Sequence, residues 1–118
     1  MSFIVVIPAR YKSSRLEGKP LISLNGVPMV IRTYRQCLKV VSSKKIYIAT
    51  DNKLIKEVCE SEGAQTIMTS SKCLTGTDRV AEVAKKINAK TYINVQGDEP
   101  IFNPKDLKLL IKEVKKYP

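Results

Sequence analysis

Short β-branched runs alternate along this chain with stretches in which apolar residues recur every three or four positions. Phe3 to Pro8 (FIVVIP) is a continuous apolar run, the mark of a strand covered on both faces. A polar, glycine-containing loop follows from Ala9 to Pro20, and the brief segment Leu21 to Gly26 ends in the turn pair Asn25-Gly26. Pro28 suits the first position of a helix whose inward face is Val30, Tyr34, Cys37, Leu38 and Val41. Lys45 to Thr50 reads as a second strand. Asp51 or Asn52 can cap the next helix, with Leu54, Ile55, Val58 and Cys59 inward and Gly63 as its stop. Ala64 to Met68 gives a third strand. Thr77 then opens a helix with Val80, Val83, Ala84 and Ile87 inward. Thr91 to Val95 is a fourth strand, and Asn103-Pro104 starts a last helix lined by Leu107, Leu110, Ile111 and Val114.

Strands alternating with helices at this spacing predict an α/β fold, Rossmann-like and doubly wound, with a mainly parallel sheet. The 118 residues suffice for one domain. An open sheet of this kind binds its ligand beyond the carboxyl ends of its strands. The loops that begin at Ala9, Asp51, Thr69 and Gln96 are therefore where chemistry is expected.

Charge sharpens that expectation. The chain has 21 Lys and Arg against 11 Asp and Glu, a net +10. Nucleic acid, a membrane surface or a phosphorylated substrate could each answer such an excess. Lys105, Lys108, Lys112, Lys115 and Lys116 fall on the last helix, where a solvated face accounts for them. Aromatic residues make up 6% of the chain and the lysines are spread over helix faces, which argues against a nucleic-acid module. No apolar run approaches the roughly 18 residues that cross a bilayer, so neither nucleic acid nor membrane is expected as a partner. Arg10, Arg15 and Lys19, by contrast, share one loop and need a ligand to explain them.

The absence of histidine excludes imidazole base catalysis from within these residues. Three widely spaced cysteines (Cys37, Cys59 and Cys73) form neither a disulfide framework nor a CxxC metal site. Cys37 and Cys59 lie on inward helical positions as core filling, and a reducing, cytoplasmic setting is expected.

Two segments carry the candidate chemistry. Pro8 to Pro20 (PARYKSSRLEGKP) offers two serines, two arginines, two lysines and a glycine directly after a buried strand. Small residues let backbone N–H groups approach phosphate oxygens, and cations neutralise their charge. The loop is neither a GxxxxGK[ST] P-loop nor a GxGxxG fingerprint. Asn94 to Pro100 (NVQGDEP) ends an apolar strand in Gly-Asp, which puts the Asp98 carboxylate at the sheet's carboxyl edge. A lone strand-end carboxylate suits Mg²⁺, which takes one or two carboxylates together with substrate phosphates and water. TGTDR (Thr75 to Arg79) reads as a helix start in which Thr77 caps and Gly76 permits close approach. Thr50-Asp51 is explained equally well as a cap.

The succession IPARYKSSRLEGKPL, IATDN, TGTDRVAEV and NVQGDEP resembles the 3-deoxy-manno-octulosonate cytidylyltransferases (CMP-Kdo synthetases) over all 118 residues. The resemblance implies a nucleotidyltransferase that transfers CMP from CTP to the sugar acid Kdo. The products are CMP-Kdo and pyrophosphate, for lipopolysaccharide or capsule synthesis. It assigns Arg10, Ser14, Arg15 and Lys19 to the CTP phosphates and Asp98 to Mg²⁺. Ala9, Thr69 and Thr77 go to the cytidine and Gln96 to the sugar, with Arg10, Lys19 and Asp98 as the catalytic set. Two positions depart from the family pattern. Glu17 stands where the family has Pro, and Cys73-Leu74-Thr75-Gly76-Thr77 stands where it has His-x-Ser-Gly-Thr.

Family members run to about twice this length, whereas 118 residues fall near one ordinary domain. Residues 1–118 are therefore expected to be the nucleotide-binding part of a single cytidylyltransferase domain. The sugar site and the usual homodimer contacts would lie in a C-terminal half absent from this chain. A CMP-sialate synthetase, another sugar-acid cytidylyltransferase, or an inactive CTP-binding truncation are the alternatives.

Overall fold

The computed structural model describes residues 3–11, 18–24, 26–73, 76–96 and 103–116. The strands and α-helices of the described residues follow in order: β1 (Phe3–Pro8), β2 (Ser23–Leu24), β3 (Val27–Pro28), α1 (Met29–Leu38), β4 (Ile46–Thr50), α2 (Lys53–Ser61), β5 (Gln65–Met68), α3 (Gly76–Lys86), β6 (Thr91–Asn94) and α4 (Pro104–Lys116). Four strands form one parallel sheet in the order β5-β4-β1-β6. The chain steps outward from β1 to β4 to β5, then returns to the far side of β1 as β6. The order thus reverses between β1 and β6, and a ligand crevice in an open α/β sheet forms at such a switch.

Strand β1 is buried at every position because it has a neighbour on each edge and helices on each face. Its alternate side chains divide between two cores. Phe3, Val5 and Ile7 pack with Val30, Ile31, Tyr34 and Cys37 of α1, Ile55 and Cys59 of α2, and Leu107 and Ile111 of α4. Ile4 and Val6 point to the opposite face, where Ala49 and Val83 of α3 meet them. Three helices on one face and one on the other make the expected doubly wound arrangement. No helix among the described residues is long and apolar enough to cross a membrane.

Local signals end the elements where the physics requires. Asn52 caps α2, its Oδ1 accepting the N–H groups of Leu54 at 2.9 Å and Ile55 at 3.1 Å. Such a cap contributes about 1 kcal/mol. Gly63, at φ 85°, closes the same helix. Its N–H reaches Glu60 O at 2.9 Å while Ala64 N–H reaches Cys59 O at 3.1 Å, the paired bonds of a Schellman ending.

Several sequence expectations need correction. Pro28 belongs to β3 and precedes the first helical residue, because β2 and β3 pair as a small hairpin around Gly26. Lys45 lies in a 3₁₀ turn rather than in β4. Thr77 is the second residue of α3, so it does not cap that helix. Asp51 does not cap α2 either. Leu38, Leu54 and Leu110, read as inward, are 41%, 53% and 48% exposed. Each lies beside a residue pair that already fills the narrow contact stripe, as Ile55 and Cys59 do on α2 and Leu107 and Ile111 on α4.

Cys37 and Cys59 are fully buried, as core filling requires. Burial pushes both thiols from 9 up to about 12, with nearby Glu60 and Glu62 adding to the rise at Cys59. Tyr34 beside them is raised too, chiefly by burial. Because these acids hold their protons longer in the fold than in the unfolded chain, their contribution is complete below about pH 9. It is lost as the pH climbs toward 12. The urea midpoint is therefore expected to fall between pH 8.5 and pH 10.5, and to fall less in a Cys37→Ala/Cys59→Ala variant. Equal slopes for the two proteins would contradict this account of the thiols.

Candidate functional site

Three backbone hydrogen bonds extend the sheet just beyond the carboxyl ends of its strands. Ala9 N–H donates to Ala49 O at 2.8 Å, Thr69 N–H to Thr50 O at 2.8 Å, and Val95 N–H to Val6 O at 3.0 Å. These bonds bring Ala9, Asp51, Thr69 and Gln96 to one edge of the sheet. The register of β1 with β6, in which Val6 faces Asn94, carries Gln96 alongside Pro8.

The basic loop leaves that edge through a narrow neck. Gly18 N–H donates to Tyr11 O at 2.6 Å, which makes Arg10 and Lys19 the flanking neighbours of a bonded pair. Gly18 adopts φ 68°, and a Cβ there would come within 3.2 Å of the Tyr11 ring. Only glycine meets both demands without strain. Lys19 then starts a one-turn 3₁₀ helix over Lys19–Leu21, with Pro20 buried beneath it. Two cations assigned to phosphate are thus drawn together at the end of the central strand. Ser14, Arg15, Glu17 and Asp98 lie outside the described residues.

Behind the neck is a buried polar group that sequence reasoning missed. Tyr11 N–H donates to Asp51 Oδ1 at 3.2 Å, and Asp51 Oδ2 lies 3.8 Å from Arg79 Nη2. The Arg79 side chain is 1% exposed and that of Asp51 11%. Arg79 Nη1 also donates to Thr69 Oγ1 and to Ser70 O, the latter at 3.3 Å. Arginine has no acceptor atom, so the Thr69 oxygen receives and its hydroxyl proton is directed elsewhere. One guanidinium therefore joins the ends of β4 and β5 and, through Asp51, the backbone after β1. The signal was present in TGTDR: Arg79 stands four residues before Val83, on the apolar stripe of α3, where a charge demands a partner.

The loop after β5 is held a second time. Glu82 accepts the Ser70 N–H at 2.9 Å and the Cys73 thiol at 3.2 Å. Burial and that bond raise the Cys73 thiol above its ordinary value, so it is a structural donor and not an activated nucleophile. Thr77 is exposed in the first turn of α3. Gln96 lines a groove of about 250 Å³ between β6 and α4, with Ile93, Asn94, Val95, Asp106, Leu107 and Leu110. Among the described residues no cluster of three or more Cys, Asp or Glu could hold a metal ion. Asp51, committed to Arg79 and Tyr11, is not available for one.

A family model described as cytidylyltransferase matches residues 4–118. The chain belongs to the cytidylyltransferase family. Its relatives include the 3-deoxy-manno-octulosonate cytidylyltransferase of Chlorobium phaeobacteroides, 44% identical over 95% of this chain and 45% of the relative. That of Escherichia coli is 41% identical over 98% of this chain and 47% of its own length. The cytidylyltransferase chain thus spans less than half the length of these curated relatives. Among solved structures, CMP:2-keto-3-deoxy-manno-octonic acid synthetase complexed with CTP superposes with TM-score 0.93 at 40% identity. It covers 100% of this chain and 49% of that one. A cytidylyltransferase from Leptospira borgpetersenii shares the fold at TM-score 0.85 and 20% identity.

Proposed function

We propose that residues 1–118 form the nucleotide-binding part of a 3-deoxy-manno-octulosonate cytidylyltransferase, which moves CMP from CTP onto Kdo and releases pyrophosphate. The observation that carries this reading is the Tyr11–Gly18 neck, which draws Arg10 and Lys19 together at the sheet edge where Gln96 follows β6. The relatives' names and the CTP complex of the 40% identical solved structure support the choice of nucleotide and sugar acid.

In this reading Arg10 and Lys19, with Ser14 and Arg15, hold the triphosphate. The cations also stabilise the charge that builds on the leaving pyrophosphate as the sugar hydroxyl attacks the α-phosphorus. Such transfers depend on positioning and charge stabilisation more than on covalent work by the protein. Ala9, Thr69 and Thr77 face the cytidine and Gln96 the sugar. Asp98 is the carboxylate assigned to Mg²⁺, which takes one or two carboxylates together with substrate phosphate oxygens and water. The ion would neutralise phosphate charge when bound. The remaining sugar contacts and the homodimer interface belong to the part of the relatives beyond the stretch that these 118 residues match. The setting is the cytoplasm, where CTP is made.

Calorimetric titration of the 118-residue chain with Mg-CTP should give saturable one-to-one binding, and the same mixture plus Kdo should release no pyrophosphate. No heat of binding would overturn the nucleotide assignment. Turnover with Kdo would overturn the division between the two halves, and turnover with a sialic acid in its place would favour the alternative enzyme.

A further inference from the structure

We infer that Arg79 is a positioning residue that sets the neck of the cationic loop and the Thr69 hydroxyl in one geometry. The inference rests on the nucleotide reading above and adds to it a control point that hydrogen-bonds, within the described part of the proposed ligand set, to Thr69. Four observations carry it. The guanidinium is buried at 1% exposure at the ligand edge of the sheet, not in either hydrophobic core. It reaches the ends of two strands, by an ion pair with Asp51 after β4 and by hydrogen bonds to Thr69 and Ser70 after β5. Asp51 passes the constraint across 40 residues of sequence to the Tyr11 amide. Tyr11 in turn holds Gly18, so Arg10 and Lys19 inherit the position of a carboxylate that Arg79 fixes.

The chemistry suits this task. Burying a guanidinium and a carboxylate together is costly unless both are well satisfied, and simple packing would be served as well by apolar residues of similar volume. What the pair supplies that a leucine could not is direction. A planar fork locks one carboxylate and one hydroxyl at a fixed separation. Arg79 Nε, buried and without a hydrogen-bond partner among the described residues, shows that the side chain is placed for its two terminal nitrogens. Asp51 keeps one oxygen for Arg79 and the other for Tyr11 N–H, so losing the cation leaves the loop stem on an acceptor free to rotate.

The test compares Arg79→Met, Arg79→Lys and Asp51→Asn with the parent 118-residue chain. Mg-CTP affinity is measured by calorimetry, and amide exchange is followed at Tyr11, Val5 and Ile48. Arg79→Met is expected to lose about fivefold to tenfold in affinity and to speed Tyr11 exchange at least tenfold. Exchange at Val5 and Ile48 should stay unchanged, since a general loss of stability would raise all three. Arg79→Lys, which can keep one bond but not the fork, should fall between. A folded Arg79→Met with parental affinity and a protected Tyr11 amide would overturn the inference. Should Arg79→Met fail to fold, Asp51→Asn decides, since the amide oxygen still accepts from Tyr11 while the charge pairing is gone. Parental affinity and protection in that variant would count equally against the clamp. Failure of the parent chain to bind Mg-CTP sinks the nucleotide reading instead, and the Tyr11 exchange rates then judge the clamp alone.

Discussion

Replacing Lys19 by alanine is expected to weaken Mg-CTP binding by tenfold to a hundredfold, the largest effect of any single side chain on the ligand. A charge-assisted hydrogen bond is worth about 1.5–3 kcal/mol, and each 1.4 kcal/mol is a factor of about ten in affinity. The position explains why one lysine should count for so much. Gly18 fixes the chain at φ 68° immediately before it, and the 3₁₀ turn over buried Pro20 follows immediately after. The backbone under Lys19 is therefore set, and less ordering remains to be done when a phosphate arrives. Lys19→Arg should recover part of the affinity through charge alone. The loss should also shrink as salt is raised from 50 to 500 mM, because screening weakens the parent's interaction and leaves the variant little to lose. Calorimetry at both salt concentrations checks this, and an alanine variant that binds as the parent does would remove the phosphate role from the neck.

Ile7→Ala is expected to cost about 2–5 kcal/mol of stability, against the 5–15 kcal/mol that holds a whole domain together. Ile7 is completely buried in β1, facing Ile48 in register and packed in the core shared by α1, α2 and α4. The sheet on either side and helices above leave no route for the cavity to collapse. With a urea slope of about 1–3 kcal/mol per molar, the midpoint should drop by at least about 0.7 M. Leu109→Ala is the control. Leu109 is 61% exposed, and its loss should move the midpoint by little. Equal shifts for the two variants would mean that the core has been placed on the wrong residues.

The contrast between Ile7 and Leu109 shows where sequence reading succeeds. A strand sandwiched between neighbours must be apolar throughout, and FIVVIP could be read as such without coordinates. A helix that touches the sheet along one narrow stripe leaves adjacent apolar residues outside. Leu38, Leu54 and Leu110 satisfy the same periodicity as their buried neighbours, so spacing alone cannot separate them. The caps behaved in the same way. Asp51 and Asn52 are chemically equal candidates, and the choice fell to Asn52 because a buried guanidinium claims Asp51.

The sequence by itself determined the alternation of strands and helices, the placement of cations directly after a buried strand, and the family. Each of these depends on residues close together in the chain or on their order along it. Tertiary structure alone decided the strand order that puts the reversal between β1 and β6. It also decided the neck that joins Arg10 to Lys19 and the reach of Arg79 to Asp51, Thr69 and, indirectly, Tyr11. The reason is geometric. A charge on an apolar stripe announces that it needs a partner, but which carboxylate answers it depends on which strand ends the sheet brings side by side.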